Sequence, residues 1–481
     1  MMNAYPELNL LIDGAWRAGA AGAAQEVINP ATEEVLGMLP SAAPEDLDAA
    51  LHSAARGFAT WRAMSSYDRA AIMTRAAQLI RERVEAIAVA VTLENGKPLA
   101  EARMEIGTVV DILEFSAEEG KRLHGRIVEG RAAGVRHHVV KEPVGVCLAI
   151  TPWNFPINTV AKKIGAALGA GCSVILKASN ETPAAAVLLV QALIDAGLPD
   201  GVVTLVFGPS AQVTRHLMAS DIVRKVSLTG SVPVGKQLAV LAAERMQRLT
   251  MELGGHAPVV VFDDVDIARA VDLLVPGKFR NAGQICISPT RFFVQDAIYD
   301  EFVATFTARA AAIKVGDGMA AGTMMGPLAN ARRLAAMDGF VKDARTRGAT
   351  VTTGGERIGN RGYFYAPTVI KDAPDDSLVM TEEPFGPMAP MTRFATIEEV
   401  AERANALELG LASYAVTNSL ERASRIGEVL AAGMVGINTV GVASPETPFG
   451  GVKESGYGVE GGPESLEHYL VPKSIALKPY L

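Results

Sequence analysis

The sequence predicts an α/β protein built as two units, each a mostly parallel sheet covered by helices. Three observations carry that expectation. Short apolar runs alternate with amphipathic stretches from about residue 145 to 251, which is the signature of strand–helix–strand units. A second such series begins at "APVVVF". Before both, residues 44 to about 123 are helical by their i, i+3, i+4 apolar spacing.

Each element follows from its local pattern. "EDLDAALHSAARGFATW" and "RAAIMTRAAQLIRERVEAIAVAVTLE" form helices, "ENGKP" breaks the run, and "LAEARMEIGTVVDILEFSAEEGKRL" resumes it. "GRIVEGRAAGVRHHVVKEPVG" alternates and is dotted with glycine, so it reads as a hairpin or extended arm. The first α/β series then runs "VGVCLAIT", "SVILKAS", "VVTLVFG", "KVSLTG" and "RLTMELGG", with helices between. In the second, the strands "APVVVF" and "SPTRFFVQ" precede the helix "AIYDEFVATFTARAAAIK", and "VGINT" is a further strand. The tail "YLVPKSIALKPYL" alternates like an edge strand.

Composition narrows the function. The 481 residues carry 45 Lys and Arg against 53 Asp and Glu, for a net charge of −8, with no concentrated basic face for a nucleic acid. Three widely spaced cysteines give neither a disulfide framework nor a CxxC metal site. The seven histidines show no ligand spacing beyond the adjacent His137 and His138, so no metal is expected. The start lacks the basic and long apolar regions of a signal peptide, and no apolar run reaches the ~20 residues of a membrane helix. A cytoplasmic protein is the expectation.

Cys147 and Cys172 lie in apolar runs and read as inert core residues. Cys286 differs, because "KFRNAGQICISPTRFF" surrounds it with turn formers. "LTGSVPVGKQ" fits G-x4-G-K over Gly230–Lys236, but Gln237 stands where a P-loop needs Ser or Thr, and Pro233 interrupts the loop. An NTP-binding enzyme is therefore the alternative of another class, although a glycine turn entering a helix also suits a dinucleotide pyrophosphate.

"TPWNFP", "MELGGHAP", "NAGQICISPTR" and "EEPFGP" share glycine, proline and single reactive groups, and in this order they resemble the aldehyde dehydrogenase superfamily. The likeness spans nearly the whole chain, from "LLIDGAW" to "PFGGVKESGYGVEGG", and is strongest to succinate-semialdehyde and 2-oxoglutarate-semialdehyde dehydrogenases. It implies two doubly wound α/β domains: a dinucleotide-binding domain from residues 1–123 and 145–251, and a catalytic domain from 252–466. Residues 124–144 and 467–481 would form an oligomerisation arm pairing across subunits in a homodimer or homotetramer.

The resemblance also assigns roles. Cys286 attacks the aldehyde carbon, Asn154 and the Cys286 backbone N–H hold the oxyanion, Glu252 is the base for thioester hydrolysis, and Lys163 assists proton movement. Trp153, Lys177, Gly230, Ser231, Leu253, Glu383 and Phe385 would contact NAD or NADP. Asn180 replaces the glutamate of many NAD-preferring relatives, which opens the site to the 2'-phosphate of NADP, although Glu181 next door could stand in for that glutamate. Arg280, Ser444 and Lys162 would meet the substrate carboxylate, with Lys162 standing where relatives carry a second arginine. The implied reaction oxidises a semialdehyde to its dicarboxylic acid. Uncharged or aromatic aldehydes are the nearer alternative.

Overall fold

The runs "SVILK" and "VTLV" are buried along their whole length, and "VCLAI" up to its last residue, as strands covered on both faces must be. In the computed structural model, which describes residues 5–20 and 22–479, they lie side by side. Five parallel strands form the centre of the first sheet, in the spatial order Val203–Val206, Ser173–Lys177, Val146–Ile150, Val223–Thr229, Arg248–Glu252. The chain builds outward from Val146–Ile150 in one direction, then returns to build the other side. The order therefore reverses between Val146–Ile150 and Val223–Thr229, opening a crevice at their carboxyl ends, where doubly wound sheets bind ligands.

Antiparallel strands close both edges. Leu10–Ile12 pairs with Val203–Val206, and Ala15–Arg17 lies outside it. At the other edge the short strand Gly456–Tyr457 pairs with Met251 and Glu252. These edge strands were not legible in the sequence pattern.

The second sheet places Ala257–Val261 centrally, with Pro289–Gln295, Met388–Phe394 and Thr368–Lys371 to one side and Ala412–Val416 and Met434–Ile437 to the other. It too is doubly wound. Two apolar cores result: residues 8–253 joined by Leu466, Tyr469 and Leu470, and residues 257–449.

The four N-terminal helices appear where the spacing put them, as Pro44–Ala63, Ser66–Glu82, Val84–Asn95 and Leu99–Gly120. The arm is a hairpin of Arg126–Glu129 and Arg136–Pro143. The tail strand Leu470–Leu477 pairs with the chain's own arm, in continuous register from Leu470 opposite Pro143 to Leu477 opposite Arg136. The reason is local. Tyr469 is buried and its carbonyl accepts the Val144 N–H, so the tail leaves the core beside the base of the arm. The ends of the expected first and last spans, 1–4 and 480–481, lie outside the described residues.

Two glycines test this architecture. Gly456 has φ +121°, and a Cβ there would fall 1.8 Å from the Met251 carbonyl oxygen. Gly456→Ala should cost on the order of 1–3 kcal/mol or more and lower the thermal midpoint. Gly107→Ala, at an exposed helical position with nothing within 4 Å, should be neutral or stabilising by up to ~1 kcal/mol. Thermal unfolding of both variants checks the contrast, and equal midpoints would contradict it.

Candidate active site

Five loops converge between the sheets. From the first sheet come the segments that follow strands: 151–157 after Val146–Ile150, Gly230 and Ser231 after Val223–Thr229, and 253–256 after Arg248–Glu252. From the second come the segments that precede strands, 280–288 before Pro289–Gln295 and 382–387 before Met388–Phe394. They enclose a cavity of about 560 Å³. Its walls hold Asn154, Cys286, Glu252, Trp153, Gly230, Ser231, Leu253, Glu383, Phe385, Arg280, Lys162 and Ser444. Lys163, Lys177 and Asn180 are not among them.

The paired glycines after Glu252 have a steric reason. A Cβ on Gly254 would lie 2.6 Å from Glu383 Oε2, and one on Gly255 would lie 2.8 Å from the Cys286 carbonyl oxygen. Only glycine lets the strand end pass between them. The nucleophile loop carries strain of its own. Asn281, Ala282 and Gly283 are successively left-handed, at φ 48°, 53° and 70°. For each of the two non-glycine residues this costs on the order of 1–3 kcal/mol, which the surrounding contacts must offset.

Burial dominates the electrostatics. Glu252 ends its strand 2% exposed, and neither carboxylate oxygen has a hydrogen-bond partner among the described residues. Burial, then the nearby Glu460 carboxylate, pushes it well above the usual carboxylate range, while Lys163 and Lys162 pull it back. Burial followed by Glu383 pushes the Cys286 thiol up to about 12, opposed by Lys162. Glu383 itself is raised by burial to about 8. Lys162 Nζ sits 3.5 Å from the centre of the Phe449 ring, as a cation–π contact requires.

Lys163 lies behind the wall, fully buried, donating to Glu460 Oε1 at 2.5 Å and to Ser227 Oγ at 3.1 Å. Glu460 does line the cavity. It was not singled out from sequence, because a lone Glu in "GVEGG" carries no spacing signal. Arg280 ends the helix Ile267–Phe279 and stacks 5.6 Å from the Phe155 ring, without an ion pair among the described residues. The Ser444 hydroxyl lines the cavity and donates to Glu446 Oε2 at 2.7 Å.

On the dinucleotide side, Trp153 and Phe385 meet edge to face at 5.5 Å. Ser231 precedes the helix Val232–Ala243, so its free N–H groups face the crevice between Val146–Ile150 and Val223–Thr229. A pyrophosphate fits such a terminus. The P-loop reading loses its basis here, since the chain is helical from Val232 and leaves no loop to wrap a phosphate. Lys236 is tied at the surface to Glu454 Oε1 at 2.5 Å. Lys177 donates to the Ala178 carbonyl and to Asn180 Oδ1, while Asn180 Nδ2 binds Gln25 and the Gly208 carbonyl. Glu181 is held by Asn330 and Arg332. No group of three His, Cys, Asp or Glu side chains among the described residues could hold a metal ion.

The profile of the aldehyde dehydrogenase family matches residues 16–475. The chain belongs to that family. It is an NAD(P)-dependent aldehyde dehydrogenase. It is 47% identical over 464 residues to a 4-(hydroxymethyl)benzenesulfonate dehydrogenase of Comamonas testosteroni, covering 96% of this chain and 97% of that one. It is 40% identical over 467 residues to an NADP+-dependent succinate-semialdehyde dehydrogenase of Escherichia coli, covering 97% of each. Among solved structures, an NADP-dependent enzyme of E. coli superposes with a TM-score of 0.97 at 40% identity, covering 98% of both chains. The fold expectation therefore holds, and no helix among the described residues is long and apolar enough to cross a membrane.

A thiol raised to about 12 leaves on the order of 10⁻⁵ as thiolate at pH 7 in this aldehyde dehydrogenase. Iodoacetamide alkylation of the free enzyme should therefore accelerate by ~10-fold per pH unit from 7 to 10 without levelling. Cys147 and Cys172 are fully buried and should not contribute. Lys162→Met should slow the reaction at every pH, and a plateau below pH 9 would contradict the assignment.

Proposed function

We propose that this enzyme oxidises aldehydes whose far end carries an anion, with short dicarboxylic semialdehydes such as succinate or 2-oxoglutarate semialdehyde as the reference class. One observation carries the reading. Arg280 and Lys162 line the same cavity as Cys286, each resting on an aromatic face without a salt-bridge partner among the described residues. Lys162, half-buried, and Arg280, exposed at the cavity wall, offer a substrate anion charge-assisted partners as it leaves water.

The chemistry follows from the placement. Cys286 Sγ, once deprotonated, attacks the carbonyl carbon, and the developing oxyanion meets the Cys286 N–H and the Asn154 amide. Asn154 Nδ2 spends one hydrogen on the Gln284 carbonyl at 3.0 Å, which leaves the other for the oxyanion. Ser231, Trp153, Glu383 and Phe385 would hold the nicotinamide cofactor, which when bound would supply the hydride acceptor for the thiohemiacetal carbon. The resulting thioester is cleaved by water. Glu252, with both oxygens uncommitted, takes the water proton when ionised. Lys163, fixed by Glu460, keeps a positive charge behind Glu252 and favours that ionised form.

For the cofactor we propose NADP. Asn180 is neutral and bonded to Lys177, while Glu181 is committed to Asn330 and Arg332, so no carboxylate stands ready to repel a 2'-phosphate. Asn180→Glu should shift kcat/KM from NADP toward NAD by ~10-fold or more, and an unchanged ratio would reject this account. We also propose that residues 1–123 and 145–251 bind the dinucleotide while 252–466 carry the catalysis. The exposed edge of Arg126–Glu129 is the surface suited to pair between subunits in a dimer or tetramer.

A second reading keeps the anion and changes the spacer. Phe155 and Phe449 lie under the two cations, and such aromatic faces suit an aryl aldehyde bearing a sulfonate or carboxylate. The relative named for 4-(hydroxymethyl)benzenesulfonate supports it.

Steady-state kcat/KM with saturating NADP for succinate semialdehyde, butanal, 4-formylbenzenesulfonate and benzaldehyde separates these readings. A used anion site favours each acid over its neutral match by ~10-fold or more, from the ~1.5–3 kcal/mol of a charge-assisted hydrogen bond. Arg280→Met should erase most of that preference while sparing the neutral substrates. Equal efficiency for acids and neutrals would sink the anion assignment and leave the dehydrogenase chemistry standing.

A further inference from the structure

Glu101 and Glu105 sit one turn apart on the helix Leu99–Gly120, and both reach the walls of the catalytic cavity. Glu105 and Lys97 are buried to within a few per cent, yet neither reacts in the chemistry above. Lys97 Nζ donates to Glu105 Oε2 at 2.6 Å and to the Asn154 carbonyl at 2.9 Å, and it lies 4.1 Å from the centre of the Phe155 ring. Two of its three ammonium hydrogens are thereby committed, and the ammonium also rests against the Phe155 ring. Glu105 is equally committed, because its other oxygen accepts the N–H groups of Ile157 and Asn158 at 3.2 and 3.1 Å, just where the helix Asn158–Ala170 starts.

The nucleophile loop is tied to the same frame. Glu101 Oε2 accepts the Asn281 N–H at 2.8 Å, at the first left-handed residue of the strained turn before Cys286. Asn281 Nδ2 donates to the Asn154 carbonyl at 2.9 Å, beside Lys97. The Asn154 side-chain amide then donates to the carbonyl of Gln284, two residues before Cys286. One helix turn thus grips the loop that carries Cys286 and the loop that carries Asn154.

We propose that Lys97, Glu105 and Glu101 are positioning residues: a clamp, with Lys97 and Glu105 buried, that sets the Asn154 amide relative to Cys286 and so forms the oxyanion hole. This rests on the reading that Asn154 stabilises the oxyanion. The hydrogen bonds of the clamp run to the two loops and not to the reacting atoms. The contribution of the clamp passes through Asn154, which a merely structural pair would not require.

The test is a double-mutant cycle on the full-length enzyme. Lys97→Met with Glu105→Gln removes both charges together, so no buried charge is orphaned, and glutamine keeps an oxygen for the Ile157 and Asn158 N–H groups. The hydride-transfer rate is measured in a single turnover with an aldehyde and NADP, alongside NADP affinity and the thermal midpoint. The paired substitution should slow hydride transfer by ~10-fold or more with NADP affinity unchanged, and should cost less than ~2-fold when added to Asn154→Ala. Should the pair fail to fold, Glu101→Ala, at a half-exposed site, should show the same dependence on Asn154 with a smaller loss. An equal loss in the Asn154→Ala background, or no loss with Asn154 intact, overturns the clamp alone. A normal rate for Asn154→Ala by itself overturns the oxyanion reading, and the clamp falls with it.

Discussion

The cleft depends on how short the covalent links between the two units are, the chain crossing once between Glu252 and Ala257 and returning between Phe449 and Gly456. The chain leaves the first sheet at Glu252 and enters the second at Ala257, so four residues join two separately cored units. A link that short fixes the carboxyl ends of one set of strands against the amino ends of the other. It also delivers the Glu252 carboxyl, the Glu383 carboxyl and the Cys286 loop to one place. Gly254 and Gly255 make the convergence sterically possible, because a side chain on either would occupy the space of Glu383 or of the Cys286 backbone.

Convergence of this kind concentrates ionisable groups where water is scarce. Burial then works against charge: it raises Cys286, Glu252 and Glu383, and lowers Lys162. Burial accordingly favours the thiol form of Cys286 and shifts Glu252 toward its protonated form in the free enzyme. Lys162 and Lys163 oppose that tendency from one helix, the first lining the cavity and the second anchored to Glu460. A nucleophile kept neutral until the site fills is protected from stray electrophiles, and the cost is that activation must come from groups brought together on binding.

The readable parts of the sequence were those set by short-range pattern. Helices between residues 44 and 120 announced themselves through apolar spacing, and the buried runs of the first sheet through their length and β-branched content. The Cys286 segment stood out because its company was wrong for a core cysteine. Long-range pairing was not readable in the same way. Gly456–Tyr457 is too short to carry a strand pattern, yet it closes the edge beside Glu252. The tail looked like an edge strand seeking a partner, but only the position of buried Tyr469 beside Val144 determined that the partner was its own arm. Lys236 fitted a phosphate-loop spacing, and the helix beginning at Val232 placed it on the surface.

The sequence by itself determined the element types, the family and the identity of the reactive groups, because residue chemistry and local periodicity are written residue by residue. Tertiary structure alone decided which groups share a cavity and what surrounds them. Lys97, Glu105 and Glu460 lie far from Cys286 along the chain and carry no motif spacing of their own. Their importance comes from burial and from partners at 2.5–2.9 Å, and both are properties of the packed chain. The same holds for the shifts at Cys286 and Glu252. A side chain's ordinary acidity belongs to the residue, while its departure from that value belongs to the dielectric and the charges that folding places around it.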